Sequence, residues 1–241
     1  MQLKSDESPV TKADRRSSEV ISQYLIDTHY PIIDEEICFP EYNIRKTWNK
    51  YWLVDPLDGT REFISGNGEF TVNIALISGD SPVFGVIYAP VTGIIYWGGK
   101  DTGSFRLENI EEDFLLENIK KAVPISCDME DSKVLRVAAS RSHMDESTSQ
   151  YIQILKNRYE NIDFISRGSS LKLCMIASGE VDVYPRFSRT MEWDTAAAQI
   201  IVEEAGGQVV DFTSGKKMQY NKENLLNPYF VVYDQYHTPK D

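Results

Sequence analysis

The stretch Tyr51–Thr60 reads YWLVDPLDGT: an apolar, aromatic run is followed at once by Asp55 and, three residues later, by Asp58. The run predicts a buried strand. Two ionised carboxylates at the end of such a strand need neutralising cations, because burying an unpaired carboxylate costs several kcal/mol. The stretch therefore predicts a cation site at the end of a core strand.

The residues around the two carboxylates favour a tight turn. Pro56 fixes one φ angle, and Gly59 tolerates a backbone conformation that other residues avoid. Such a turn can direct the Leu57 carbonyl and the Thr60 hydroxyl at the same point as the carboxylates, which gives an all-oxygen ligand set. Hard cations prefer oxygen donors, so the pattern favours Mg²⁺ with a phosphate-bearing substrate. Taken alone, the same residue types also fit an ordinary surface turn.

The composition is that of a folded, acidic protein. The chain has 241 residues, of which 41% are hydrophobic, and a formal net charge of -12. A chain of this length can bury a large core as one domain or two. The charge argues against a nucleic-acid polymer as partner, since such proteins bind through basic surfaces. A small anionic substrate is compatible with it, because bound metal ions reverse the local field.

The cysteines and the hydropathy pattern bear on the compartment. Cys38, Cys127 and Cys174 lack the C-x-x-C spacing of zinc or thiol-exchange sites and are expected to be reduced thiols. No run approaches the ~18 apolar residues of a membrane span, and the N-terminus lacks the apolar core of a signal peptide. We expect a cytoplasmic protein without an integral membrane span; peripheral association with the inner membrane stays open.

The first segments of the chain predict a loop and then a helix. Residues 1–8 are polar and are expected to form a loop or to be disordered. A helix then begins near Asp14, which alone would suit a helix N-cap. Apolar positions 20, 21, 24 and 25 repeat at helical spacing, and residues 15–19 are expected on the outside.

A second apolar run ends in carboxylates. Residues 30–33 predict a short strand that leads into Asp34, Glu35 and Glu36. This repeats the arrangement of the central stretch, although an acidic run more often forms a solvated loop. The segment therefore predicts either a solvated loop or a further contribution to the cation site.

The remaining elements divide the chain into two halves, predicted as 1–125 and 126–241. Strands at 70–78, 82–89, 94–97 and 101–105 follow one another in hairpin order, which predicts an antiparallel sheet; residues 108–113 are expected to be exposed and 122–131 to link the halves. The second half alternates strands and helices, which predicts an α/β layer. Its predicted strands are 134–139, 163–166, 181–184, 208–212 and 229–233, and its predicted helices are 145–159, 169–178 and one from Trp193 to Gly206.

Asp194 stands at the start of that last, Ala-rich helix. Helix N-termini attract anions through exposed N–H groups and the macrodipole. As a lone residue, Asp194 would be a helix cap.

These motifs together resemble a known family. Residues 55–60, with 52–54 before them and 61–63 and 68–73 after them, are similar to the first signature of the inositol monophosphatase superfamily, and Trp193–Ala197 is similar to its second. Within the superfamily the chain looks most like the bacterial 3'(2'),5'-bisphosphate nucleotidases. The resemblance implies a five-layered αβαβα sandwich and Mg²⁺-dependent removal of the 3'-phosphate from adenosine 3',5'-bisphosphate, with inhibition by Li⁺.

The resemblance also implies roles for individual residues. Two Mg²⁺ ions, with a third weaker one, would be held by Glu35, Asp55, the Leu57 carbonyl, Asp58 and Asp194. The family has a T-x-x-D motif that matches Thr11 and Asp14, whose Asp, together with Thr60, orients the attacking water. Glu35 would support that water as well as bind metal. Catalytic roles are thus expected for Asp14, Glu35 and Thr60.

Substrate contacts are also expected from the resemblance. The Gly59 and Thr60 amides would cradle the phosphate, Lys172 and Arg186 would contact the second phosphate, and a loop with Ser140 and His143 would lie near the base. Taken singly, several of these fit solvated charges or helix caps equally well, Ser169 being a natural N-cap. The full expected substrate set is Glu35, Asp55, Leu57, Asp58, Gly59, Thr60, Ser140, His143, Ser169, Lys172, Arg186 and Asp194.

Two departures keep alternatives open. Asp34 replaces the small residue usual in the family, which puts the fine geometry of the metal site in question. Only ten residues precede Thr11, so the usual first helix is expected to be missing and the native start to lie upstream. The alternatives are an inositol or sugar monophosphatase with the same site, and a catalytically impaired nucleotide or metal binder. The sequence leaves the oligomeric state open, a homodimer included.

Overall fold

The computed structural model describes residues 2–3, 9–110, 116–127, 134–139 and 146–237 of the chain. Its α-helices within these ranges are α1 (Lys12–Leu25), α2 (Tyr42–Arg45), α3 (Thr60–Ser65), α4 (Glu146–Lys156), α5 (Leu171–Ala177) and α6 (Glu192–Glu204). Short 3₁₀ helices span Ile26–Thr28 and Leu116–Lys121. None of the described helices is long and apolar enough to cross a membrane.

The described strands form three sheets. They are β1 (Gln2–Leu3), β2 (Pro9–Val10), β3 (Ile32–Asp34), β4 (Lys50–Asp58), β5 (Thr71–Ser78), β6 (Ser81–Ala89), β7 (Ile94–Gly99), β8 (Gly103–Leu107), β9 (Val123–Ile125), β10 (Val134–Ala139), β11 (Asn161–Ser166), β12 (Val183–Arg186), β13 (Gln208–Asp211) and β14 (Phe230–Tyr233). The predicted hairpin order of the first half and the alternation of the second are confirmed, with boundaries shifted by a few residues.

A seven-stranded sheet carries the first half in the order β3-β4-β5-β6-β7-β8-β9. Only β3 and β4 run parallel; every other neighbouring pair is antiparallel. Burial alternates strictly along β5, as expected when one face of a sheet meets the core and the other is partly covered. The sheet therefore buries one continuous face.

A five-stranded mixed sheet carries the second half in the order β11-β10-β12-β14-β13. Strands β11, β10 and β12 are parallel, and β14 pairs antiparallel with both β12 and β13. Helices α5 and α6 lie between the two sheets, α1 packs on β4, and α4 packs on β12. The predicted five-layered αβαβα sandwich is confirmed.

The layer of α5 and α6 forms the centre of the core. Most of α6 is buried, because its small residues Ala196–Ala198 let the helix approach the seven-stranded sheet closely. At Gly85 in β6, a Cβ atom would lie 2.3 Å from the Ala197 carbonyl oxygen, so only glycine fits there. The main core cluster contains residues of both halves, from Ile33 to Val232. This packing fixes the start of α6 against the end of β4.

Two expectations about the strands were wrong. Gln2–Leu3, expected in a loop, pairs with Pro9–Val10 as a small antiparallel sheet. Val123–Ile125, expected in the link between the halves, is the edge strand of the large sheet.

The buried face of α1 was also misassigned. Ser18 is buried and donates a hydrogen bond to the buried Asp34 at 2.9 Å, whereas Tyr24 is 77% exposed. Helical spacing identifies a face, but a buried polar partner decides which face turns inward.

Candidate active site

A β-bulge brings the two carboxylates of the central stretch together. Strand β4 continues through Asp58, and Asp55 pairs with Asn73 while Asp58 pairs with Thr71, so that β4 has one more residue than β5 in this interval. Residues three apart on a regular strand point to opposite faces. The extra residue restores the phase, and carboxylate oxygens of Asp55 and Asp58 lie within 4.8 Å of each other and of Asp194. The tight turn expected around the two carboxylates therefore does not include Asp55, because β4 runs through Asp58.

Two other elements bring Asp194 and Glu35 to this point. Asp194 is the third residue of α6, not its N-cap: Met191 caps the helix, and its N–H donates to Asp194 Oδ2 at 2.8 Å. Glu35 lies in the turn that follows β3, and its N–H donates to the Val54 carbonyl at 3.2 Å. The parallel pairing of β3 with β4 therefore places Glu35 beside Asp55.

The electrostatics of the cluster show strong mutual repulsion. Burial raises the pKa of Asp55 well above its ordinary value, and the charges of Glu35, Asp58 and Asp194 raise it further. Burial is also the main reason that the pKa of Asp194 is raised, followed by the charges of Asp58 and Glu35. Asp55 and Asp194 therefore need positive charge at this site to ionise beside their acidic neighbours.

These pKa shifts predict a pH dependence of stability in the metal-free protein. A carboxyl whose pKa is raised in the folded state holds its proton while the unfolded chain has already lost it. The contribution of Asp55 and Asp194 to stability is therefore complete below about pH 4 and is lost as the pH rises through their folded-state pKa values. In EDTA we expect the unfolding free energy of wild type minus that of Asp55→Asn to fall as the pH rises from 4 to 8. Urea denaturation of both proteins measures this difference.

Saturating Mg²⁺ provides the control for this prediction. Bound cations favour the ionised carboxylates, so the relative loss of wild-type stability toward pH 8 should disappear. The assignment of the raised pKa values would be contradicted if the difference between wild type and Asp55→Asn in EDTA did not change with pH.

Asp14 and Thr60 meet beside the cluster. The Thr60 hydroxyl donates to Asp14 Oδ1 at 3.3 Å, and the Thr11 N–H and hydroxyl donate to Asp14 Oδ2 at 2.9 and 2.5 Å. Asp14 is thus the third residue of α1 in a capping box with Thr11 as N-cap, and not the N-cap itself. It accepts the Thr60 proton at the same time, which leaves the Thr60 oxygen as an acceptor.

The carboxylates line one cleft of about 670 Å³. The cleft contains every expected metal and substrate residue within the described ranges, namely Glu35, Asp55, Leu57, Asp58, Gly59, Thr60, Ser169, Lys172, Arg186 and Asp194. Ser140 and His143 lie outside the described residues. Asp14 is not among the residues that line the cleft, and its hydrogen bond with Thr60 connects it to one that is.

The residues expected to contact substrate differ in their hydrogen-bond partners. The Lys172 ammonium donates to the carbonyls of Arg167 and Ser169 at 2.8 and 2.9 Å and lies over the Tyr184 ring. Arg186 lines the cleft with a buried Nε that has no hydrogen-bond partner among the described residues. Ser169 was expected as an N-cap, but Ser170 holds that position and Ser169 bonds to Asp58.

Asp34 does not join the cluster. It is 1% exposed, accepts from the Ser18 hydroxyl and from the Glu36 N–H at 2.9 and 2.7 Å, and does not line the cleft. Its side chain ties α1 to the turn that carries Glu35.

Sequence reasoning missed several residues of the cleft. Arg61, Arg167 and Arg189 line it and add positive charge, whereas Glu62 and Glu69 add negative charge. Arg61 and Arg189 stand close in sequence to Thr60 and Asp194, which was the one available signal. Nothing in the sequence places Arg167 and Glu69 together.

The residues present fit divalent cations. Hard cations take carboxylate and carbonyl oxygens. The lining of this cleft includes Leu57 and the carboxylates of Glu35, Asp55, Asp58 and Asp194. A second acidic group, Asp182 with Asp234, is different: Asp182 pairs with Arg136 and Asp234 with His237. The Arg136 guanidinium thus already places a positive charge beside that second group.

Known proteins share the sequence and the fold. A model described as the inositol monophosphatase family matches residues 2–237. The chain is 41% identical over 232 residues to the 3'(2'),5'-bisphosphate nucleotidase CysQ of Salmonella typhimurium, covering 95% of this chain and 87% of that protein, and 40% identical over the same length to the protein of that name from Escherichia coli K12. The crystal structure of CysQ from Bacteroides thetaiotaomicron aligns with a TM-score of 0.88 and 42% identity, covering 97% of this chain and 88% of that one.

The sequence match and the structural match agree over the same residues. They span both sheets and all the acidic residues of the cleft. The family is metal-dependent, in accord with the carboxylate cluster. The chain therefore belongs to the inositol monophosphatase family.

Proposed function

We propose that this protein is a Mg²⁺-dependent phosphomonoester hydrolase that removes the 3'-phosphate of adenosine 3',5'-bisphosphate, giving AMP and phosphate. The observation that carries the proposal is the gathering of Glu35, Asp55, Asp58 and Asp194 around one cleft beside the Thr60–Asp14 pair. The relatives at about 40% identity that bear the name 3'(2'),5'-bisphosphate nucleotidase support the substrate class.

The proposed metal ligands come from both halves of the chain. Glu35, Asp55, the Leu57 carbonyl, Asp58 and Asp194 would hold two Mg²⁺ ions, with room for a third. Bound Mg²⁺ would lower the pKa of a water and neutralise charge on the phosphate. This proposal rests on the cluster's geometry and on the repulsion between its carboxylates.

The chain's own groups then act on water and phosphate. The Thr60 oxygen accepts a hydrogen bond from the attacking water and fixes its direction; as the water proton moves to Thr60, the Thr60 proton passes to the Asp14 carboxylate. The amides of Gly59 and Thr60, both in the cleft, would donate to the phosphate oxygens. Phosphoryl transfer develops charge that these fixed donors stabilise.

Arginine side chains of the cleft suit a second phosphate. Arg61, Arg167, Arg186 and Arg189 line it, and guanidinium groups bind phosphate in a bidentate manner. Arg186 is the strongest candidate, because its buried Nε lacks a partner among the described residues. Lys172 would act mainly through the loop whose carbonyls it binds.

A substrate panel tests the proposal. We expect phosphate release from adenosine 3',5'-bisphosphate with Mg²⁺, none in EDTA, and none from adenosine 5'-phosphate, which lacks the 3'-phosphate. Values of kcat/KM for adenosine 3',5'-bisphosphate and inositol 1-phosphate should differ by at least about tenfold in favour of the nucleotide, since a site that binds a second phosphate loses that contact with inositol 1-phosphate.

Two outcomes would contradict the proposal. A higher kcat/KM for inositol 1-phosphate would indicate an inositol monophosphatase. Tight nucleotide binding without phosphate release would indicate a binding protein with an impaired site. For location we propose the cytoplasm; the absence of a disulfide bond among the cysteines of the described residues supports this proposal.

A further inference from the structure

The loop 167–170, between β11 and α5, has an unusual and tightly held backbone. Ser169 has a φ angle of +55°, in the left-handed region that residues other than glycine rarely adopt. The Gly168 N–H donates to Glu69 Oε2 at 2.9 Å, and Lys172 binds two carbonyls of the loop. Such conformations persist where the surroundings hold them, and they concentrate at functional sites.

The last two residues of the loop donate hydrogen bonds to the same oxygen of Asp58. The Ser169 hydroxyl and the Ser170 N–H donate to Asp58 Oδ2 at 2.6 and 2.7 Å, and the Asn73 amide donates to the same atom at 3.4 Å. None of the described residues donates a hydrogen bond to Oδ1. The carboxylate is therefore held by one oxygen, while the other stays available to a cation.

A buried chain of hydroxyls supports these bonds. Thr71 Oγ1, which is fully buried, lies 2.5 Å from Ser169 Oγ and 2.8 Å from Ser170 Oγ. Ser170 Oγ donates to Asn73 Oδ1 at 2.9 Å. Each hydroxyl has one proton. Because the Ser169 proton is donated to Asp58, the short contact between Thr71 and Ser169 requires donation from Thr71, whose hydroxyl also lies 3.0 Å from its other acceptor, Asn73 Oδ1.

The bulge aligns this network with the carboxylates. Thr71 and Asn73 are the β5 partners of Asp58 and Asp55 and lie two residues apart, on the same face of their strand. Strand β5 therefore presents Thr71 and Asn73 on the face where the loop of the second half meets Asp58. The resulting bond sequence is Thr71 to Ser169 to Asp58.

We propose that Thr71 and Ser169 are positioning residues: they fix the Asp58 carboxylate so that its Oδ1 atom faces the proposed cation site. This role rests on the proposed metal-dependent function. The loop thereby makes the metal site dependent on correct docking of the second half onto the first.

The substitutions Thr71→Val and Thr71→Ser provide a matched pair. Valine keeps the shape of threonine and loses the hydroxyl, whereas serine keeps the hydroxyl. Mg²⁺ binding is measured without substrate as the Mg²⁺ midpoint, the concentration that gives half of the Mg²⁺-induced rise in melting temperature. We expect Thr71→Val to raise this midpoint about threefold and Thr71→Ser to keep it at the wild-type value. The Mg²⁺ concentration for half-maximal activity should shift in parallel, with kcat at saturating Mg²⁺ changed less.

A second pair separates the hydroxyl of Ser169 from its backbone strain. Ser169→Ala keeps a Cβ in the left-handed region, and Ser169→Gly removes the strain; both lose the hydroxyl. We expect both to weaken Mg²⁺ binding about tenfold. As a control, Ser104→Ala removes a buried hydroxyl that donates to the Ile201 carbonyl at 2.6 Å outside the cleft. It should lower the melting temperature and leave the Mg²⁺ midpoint unchanged.

The outcomes separate this proposal from the proposed function. If Thr71→Val and Ser169→Gly bind Mg²⁺ as wild type does, the positioning role is overturned while the hydrolase stands. If Ser104→Ala shifts the Mg²⁺ midpoint as much as Thr71→Val, the network acts through general stability and the positioning role is likewise overturned. If wild type shows no Mg²⁺-induced stabilisation, the metal-dependent function itself fails and this role with it.

Discussion

Asp55→Asn is expected to lower kcat/KM for adenosine 3',5'-bisphosphate by about a thousandfold or more, since the carboxylate would bind the ions on which turnover depends. The protein should stay folded, because asparagine has nearly the same shape and can still accept the Leu57 N–H, which donates to Asp55 Oδ1 at 3.0 Å. Without metal the variant should be more stable than wild type at pH 8, since one of four mutually repelling carboxylates is removed. Phosphate release and urea denaturation in EDTA measure the two effects.

The matched control is Asp101→Asn. Asp101 is exposed in the turn between β7 and β8, with a positive φ angle that asparagine tolerates. It should keep wild-type activity and wild-type stability at pH 8. Near wild-type Mg²⁺-dependent activity in Asp55→Asn would show that Asp55 is not a required ligand.

Thr60→Val is expected to lower kcat about a hundredfold with little change in the Mg²⁺ midpoint. The Thr60 hydroxyl donates to Asp14 and thereby presents its oxygen to the attacking water. Valine preserves the β-branched shape at the first residue of α3 but removes that oxygen. Steady-state kinetics at saturating Mg²⁺ and a Mg²⁺ titration of the melting temperature separate the two quantities.

Thr60→Ser is the control, because it keeps the hydroxyl and should retain most of the activity. Asp14→Asn should resemble Thr60→Val, with a smaller loss, since asparagine can still accept the Thr60 proton without the negative charge. The water-orienting role would be contradicted if Thr60→Val turned over as fast as Thr60→Ser.

The sequence was informative where local pattern and tertiary packing agree. The alternation along 71–78 and the turn residues between the hairpins predicted the antiparallel strands. The central stretch and the Trp193-Asp194 pattern predicted that acidic residues would gather, and the structure brings them to one cleft. It was less informative for α1, where the partner of Ser18 decides the orientation and lies sixteen residues further along the chain.

The sequence by itself thus determined the order of the elements, the family and the acidic residues at the cleft, because these follow from local periodicity and from motifs of a few residues. Only the tertiary structure decided how the carboxylates face one another. The bulge in β4 is defined by its pairing with β5. The hydrogen bond that fixes the Asp58 carboxylate comes from Ser169, which lies 111 residues further along the chain. Local sequence cannot encode such contacts, because each depends on the docking of two layers.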